Sequence, residues 1–273
     1  MAHSFLARPL SLIGAATCAA LALSALPSAA SATVVTLADT YYGGLNTYNG
    51  QDVIGTSVFD VLSASVQRIG AGGNTLQVTI NTNYAGAPGT PAAEGTGYGA
   101  LFLTPGFDSW HPTGVAPYPT DVYQPGEWTY AFTIPQSPGS NSGAGGLYLT
   151  SAGTVQLANV NGNTITAPFA GNPGYFFRQG QAVQFTPGAN AAPVAIGQWS
   201  IAPGQIIFDV NDNRLLGDNF SLSWAMTCGN DVIQGAISGV PEPSTWAMML
   251  VGLGGLGALM RGSRRRRPAA SAA

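Results

Sequence analysis

Residues 59–69 and 76–81 flank Gly70-Ala71-Gly72-Gly73-Asn74, and the reading of this stretch decides the fold. In Leu76-Gln77-Val78-Thr79-Ile80 apolar and polar residues alternate. Successive side chains of a strand point to opposite faces, so such a run buries one face and wets the other. A Gly-rich segment between two such runs reads as a hairpin turn. Similar short runs recur at 33–37, 100–103, 128–134, 147–150, 155–160, 164–169, 182–185, 198–201, 205–210 and 220–227, bounded by Gly, Pro and Asn. Asn161-Gly162 is a favoured tight-turn pair between two of them. No long stretch carries a 3.6-residue period. The expectation is an all-β body, a two-sheet sandwich of jelly-roll type. No fixed-period repeat is present, which argues against a solenoid or propeller.

Two segments break the pattern. Residues 104–126 hold Phe107, Trp110, His111, Tyr118, Tyr123 and five prolines, a stiff aromatic loop. Residues 135–146 are rich in Ser, Gly and Asn and read as a second loop.

Of 273 residues, 45% are hydrophobic and 8% charged, with 37 Gly and 19 Pro. That is too apolar for disorder and too unpatterned for collagen. There is no lysine; all nine basic residues are arginine. Within 33–239 only Arg68, Arg178 and Arg214 oppose eleven acids, a net charge of −8. So acidic a body does not neutralise phosphates, and nucleic acid is excluded as a partner. Of two cysteines, Cys18 falls in the apolar N-terminal run, which leaves Cys228 as a single thiol with no internal disulfide.

The two ends read as addresses. Arg8, an apolar run over 10–26, Pro27 and Ala30-Ser31-Ala32 make a secretory signal over 1–32, with the mature chain starting at Thr33. Signal peptidase is the implied partner. At the other end Val240-Pro241-Glu242-Pro243 precedes an uncharged run over 244–260 and then Arg261, Arg264, Arg265, Arg266 and Arg267. Seventeen helical residues cover about 26 Å, at the short end for a transmembrane helix. The arginines act as a stop-transfer cluster on the cytoplasmic side and leave Val240 outside. The prolines keep 240–243 extended, an exposed segment that a protease or transpeptidase can grip. Gly252-Leu253-Gly254-Gly255-Leu256-Gly257 has dinucleotide-loop spacing, but no strand precedes it; it reads as small residues on a membrane helix.

The order Pro-Glu-Pro, apolar Gly-rich helix, arginine tail over 240–267 resembles the PEP-CTERM sorting signal. That resemblance implies export, transient anchoring in the inner membrane, and cleavage by an exosortase near Pro241-Glu242-Pro243. The body is then released to the cell surface or into an exopolysaccharide matrix. The same segment is often labelled ice-binding protein C-terminal domain; the label describes the tail, and no repeated flat Thr-x-Thr face of an ice binder occurs in the body. The body itself is similar to a PEP-CTERM group of unknown function. The matching pieces include Tyr42-Gly43-Gly44, Asp52-Val53-Ile54-Gly55, 80–86, 97–103, Trp110-His111-Pro112, Pro117-Tyr118, Trp128-Thr129-Tyr130 and Trp224–Asp231. Where that group usually has Asp after Gly-Tyr-Gly, this chain has Ala100.

Candidate chemistry is sparse. A glycosidase needs two carboxyl groups flanking the scissile bond; Glu94 and Glu127 sit in no recognisable motif and read as loop acids. A Ser-His-Asp triad would have to use His111, and no Gly-x-Ser-x-Gly elbow occurs. One His and one Cys cannot fill a structural zinc site. Asp209, Asn211, Asn213 and Asp218 supply hard oxygens for Ca²⁺, although Arg214 replaces the sharp-turn Gly of an EF-hand, and an Asx-rich turn explains the same residues. Trp110, His111, Tyr118 and Tyr123 are the candidate glycan contacts, because rigid aromatic faces stack on sugar rings at low entropic cost; the same rings could instead cap the open end of the sandwich. The expectation is a non-enzymatic, exported protein of the cell surface or matrix, structural or exopolysaccharide-associated, with no cofactor unless Ca²⁺. The alternatives are a secreted polysaccharide hydrolase and an ice-binding protein.

Overall fold

A computed structural model describes residues 33–44, 51–88, 90, 96–106, 110–135, 140–158, 178–240, 252–254 and 261. The body lies within Ser31–Thr245. The expected signal over 1–32, strand 164–169, turn Asn161-Gly162 and residues Glu94, Pro241, Glu242, Pro243, Arg264, Arg265, Arg266 and Arg267 lie outside the described residues. So does the expected helix 244–260 apart from 252–254, which are helical, as is Arg261. Among the described residues no helix is long and apolar enough to cross a membrane.

The body is all-β. Its twelve described strands are β1 (Val35–Ala38), β2 (Val61–Ile69), β3 (Thr75–Thr82), β4 (Leu101–Pro105), β5 (Tyr130–Thr133), β6 (Ser142–Leu149), β7 (Gly153–Leu157), β8 (Ala182–Pro187), β9 (Ala195–Ala202), β10 (Gln205–Val210), β11 (Phe220–Ala225) and β12 (Val232–Ile237). Ten of them form one antiparallel sheet in the order β1-β2-β3-β10-β9-β6-β5-β4-β11-β12, and β7 pairs with β8 in a separate hairpin. The expected two-sheet sandwich is therefore replaced by one long sheet that curls until it nearly closes into a barrel. The end strands β1 and β12 meet through packing, with the Leu37 side chain lying against the backbone of Gly235. Curling hides a long twisted sheet's apolar face without a second sheet of equal size.

The hairpin β2–β3 forms where the alternation places it, in register from Ile69↔Thr75 to Val66↔Val78. Val66, Val78, Phe208, Leu222, Trp224 and Ile233 point inward and belong to one buried core. Phe132 of β5 reaches across to β6, where a Cβ on Gly145 would collide with its ring. Glycine there is a packing requirement, and it explains why Ser142–Gly146, expected as loop, is strand. β12 was absent from the expected strands.

β4 and β11 are buried on both faces. Leu101 and Leu103 fill the barrel, whereas Ala100 and Phe102 face outward into a second core with Trp128, Ala131, Ala182 and Phe185. The β7–β8 hairpin covers that outer face, so the wall is locally two layers thick. At one point the inward alternation of β2 carries a charge. Arg68 is fully buried, its Nη1 2.5 Å from Asp212 Oδ1, and Nη2 donates to the Gly217 carbonyl at 2.5 Å.

Candidate functional site

The gap between β1 and β12 gathers acids from distant parts of the chain. Asp39 follows β1, Asp52 lies in the segment leading to β2, and Asp231 immediately precedes β12. One carboxylate oxygen from each lies within 4.8 Å of the others. Arg178, on the approach to β8, joins them with Nη2 3.5 Å from Asp231 Oδ1.

Backbone hydrogen bonds set this geometry. The Ile54 N–H donates to the Asn230 carbonyl at 3.0 Å, and Asn230 Nδ2 donates back to the Ile54 carbonyl at 2.7 Å. This two-point clasp holds the Asp52 segment beside Asp231. The Arg178 N–H donates to the Gly229 carbonyl at 2.8 Å. Gly44 must lack a side chain, because a Cβ there would sit 2.8 Å from Arg178 Cα. The Tyr42 ring lies 5.9 Å from the guanidinium carbon.

The charges are unevenly satisfied. Asp231 Oδ2 accepts the Val61 N–H at 2.7 Å and Oδ1 the Val232 N–H at 2.9 Å. Both carboxylate oxygens of Asp39 and Oδ1 of Asp52 are buried without a hydrogen-bond partner among the described residues. Arg178 Nε and Nη1 are in the same position, while its Nη2 also donates to the Gln51 carbonyl at 3.2 Å.

Burial is the largest influence on all three acids, and it pushes each carboxyl above the ordinary aspartate range. The charges of Asp231 and Asp52 add to the upward push on Asp39. Arg178 pulls all three down, and the Tyr41 N–H helps at Asp39 without meeting hydrogen-bond geometry. Three carboxylates beside one guanidinium carry two uncompensated negative charges when ionised. The arrangement can relieve them in two chemical ways. The acids can hold protons, or a hard cation with oxygen ligands at about 2.3–2.6 Å can sit between them, the rest of its shell being completed by water or backbone carbonyls. No sequence motif announced this group: positions 39, 52, 178 and 231 share no spacing. The only signal was that Asp52–Gly55 and Trp224–Asp231 stood among the pieces quoted above, with no role attached.

The residues expected to hold Ca²⁺ lie elsewhere and have protein partners. Asp209 Oδ1 accepts from Gln77 Nε2 at 2.8 Å, Asn211 Oδ1 from Thr75 Oγ1 at 2.8 Å, and Asp218 Oδ1 from Arg214 Nη2 at 2.6 Å. Asn213 takes the left-handed backbone at φ 45.

The aromatic loop folds onto itself. Trp110 and Tyr118 meet edge to face at 5.4 Å, and both pack on buried Tyr41 at 6.3 and 6.1 Å. Tyr123 packs half-buried against the second core, and His111 is exposed. Tyr41 donates to Asp121 Oδ2 at 2.5 Å and accepts from Gln181 Nε2 at 3.0 Å, which anchors the cluster from below. Glu127 accepts from the Gln124 N–H at 3.0 Å and from Gln234 Nε2 at 3.1 Å, and burial pushes its carboxyl up to about 7. Cys228 is buried, and that burial pushes its thiol up to about 12.

One expectation is corrected by the barrel. Val240, read from sequence as the exposed start of an extended segment, is fully buried within the inner core. β12 ends at Ile237, and after exposed Ser238 and Gly239, the latter at φ 65, the chain turns back so that Val240 joins the core. Arg261 is exposed.

The body is a nearly closed β-barrel, and beyond its last strand the sequence continues into an apolar run that ends in arginines. Residues 239–267 match the family model of the PEP-CTERM protein-sorting motif, and the chain is a PEP-CTERM domain-containing protein, exported and sorted by an exosortase. The match says nothing about ice. No curated protein and no solved structure matches the chain.

Proposed function

We propose that the barrel is a non-enzymatic component of the cell surface or extracellular matrix, associated there with exopolysaccharide. In this reading signal peptidase removes 1–32 and the 244–260 helix anchors the chain in the inner membrane. Arg261, Arg264, Arg265, Arg266 and Arg267 stay on the cytoplasmic side, and exosortase then releases the body. The sorting motif carries the export half of this reading. The non-enzymatic half draws support from the way the reactive groups are held: both oxygens of Glu127 accept hydrogen bonds, and Cys228 is buried as a neutral thiol.

Glycan contact through the Trp110–Tyr118 face, with His111 beside it, is the sharper version. The rings are already fixed by Tyr41, so binding a sugar costs little ordering. Co-sedimentation of the released protein with the producer's own exopolysaccharide tests it, with and without Trp110→Ala. Binding that survives the substitution removes the aromatic face from the account.

One observation favours a hydrolase as the second reading. A carboxyl pushed up to about 7 suits a general acid. Turnover of that polymer, abolished by Glu127→Gln, would establish the enzyme and overturn the non-enzymatic reading.

A further inference from the structure

The sorting motif overlaps the folded barrel at its first two residues. Its match starts at Gly239, two residues after β12 ends at Ile237. The Gly239 N–H donates to Asn219 Oδ1 at 2.9 Å, and the Val240 N–H donates to the Asp218 carbonyl at 3.1 Å. Both acceptors sit just ahead of β11, so the chain end is fastened to the start of the neighbouring strand. The Val240 side chain is 0% exposed and belongs to the same inner core as Ile237 and Phe220.

A processing enzyme must take the chain, extended, on both sides of the bond it cuts. Backbone that is hydrogen-bonded and a side chain that is buried deny it that grip. Cutting at 238–239, 239–240 or 240–241 requires Val240 to leave the core first. Ser238 and Gly239 are exposed, yet each stands one or two bonds from this anchor.

We propose that the folded barrel sets the processing limit: exosortase cuts beyond the Val240–Pro241 bond, and the mature protein keeps Gly239 and Val240 as the last segment of its core. The step breaks one amide C–N bond. The acyl carbon passes to water or to another hydroxyl or amine nucleophile, and the nitrogen leaves as an amine carrying the nucleophile's proton. The proposal rests on the sorting motif and on Val240, and it holds whether or not the body binds glycan. Sorting and folding are coupled by it: the body is folded before it is cut.

Two measurements test it on the full chain. Proteinase K digestion in detergent micelles, followed by intact mass of the resistant fragment, should give a C-terminus beyond Val240. The protein released by an exosortase-bearing host should likewise end beyond Val240. A dominant fragment or released form ending at Val240 or earlier overturns the proposal. Val240→Asp should shift the resistant C-terminus toward β12 and lower the Tm of the body; Val240→Ala, the milder change, should lower the Tm by less. Unchanged Tm and unchanged fragment ends in both variants would refute the anchoring role of Val240. Neither result bears on exopolysaccharide binding, so this proposal and the one above fail separately.

Discussion

Replacing Asp39 by Asn removes one of three clustered carboxyl groups while keeping its shape, and the effect on stability should depend on pH. Burial and the neighbouring acids raise the Asp39 carboxyl in the folded state. The unfolded chain titrates it at the ordinary value, near 4. Between that value and the raised one, the folded state binds a proton that the unfolded chain has lost. Stability from this group is therefore full at low pH and falls as pH rises, by about 1.4 kcal/mol per pH unit for each such proton. From pH 5.5 to 7.5 the wild type should lose about 3 kcal/mol that the Asp39→Asn chain retains. Guanidinium unfolding of both proteins across that range, in chelator, measures the difference directly; comparing the pair cancels the contribution of Glu127. The same series in millimolar Ca²⁺ separates the two ways of relieving the cluster. A cation held between the carboxylates restores stability to the wild type at pH 7.5 and not to the variant. Parallel pH profiles for the two proteins would refute the argument that burial, helped by the neighbouring acids, raises the Asp39 carboxyl in the folded state.

Glu127 offers a weaker version of the same test. Its carboxyl rises from 4.5 to about 7, so its stabilising contribution is complete below pH 4.5 and lost by about pH 7. Glu127 is half-buried, so solvent screening trims the effect, and Glu127→Gln should stabilise by about 1–2 kcal/mol at pH 8 and by nothing below pH 4.5. Thermal melts at the two pH values check this. Asp212→Ala leaves the Arg68 guanidinium buried without its partner and should cost about 3–5 kcal/mol, whereas Arg68→Met with Asp212→Leu should return most of it. Denaturant unfolding of Asp212→Ala and of the Arg68→Met, Asp212→Leu double variant beside the wild type checks both numbers.

Much of the strand content was legible because alternation is a local property. The run Leu76-Gln77-Val78-Thr79-Ile80 carries its own period and became β3 unchanged. The Gly-rich turn after Ile69 joins β2 to β3 as its composition requires. Ser142–Gly146 failed as a strand by composition because glycine there answers to Phe132 on a neighbouring strand, a contact no local pattern reveals. The aromatic loop was visible as a set of residues, but that its rings pack on Tyr41 depends on a residue more than sixty positions away.

The chain's own order of residues determined the all-β class, the hairpin at 70–74 and the C-terminal sorting segment, since period, turn chemistry and a run of apolar residues before arginines are written along the backbone. Only the tertiary structure decided that ten strands share one curled sheet, that Asp39, Asp52, Arg178 and Asp231 meet, and that Val240 belongs to the core. Each of those depends on which strand ends come together when a twisted sheet bends round to hide its apolar face, and the gap left between β1 and β12 is where the acids collect.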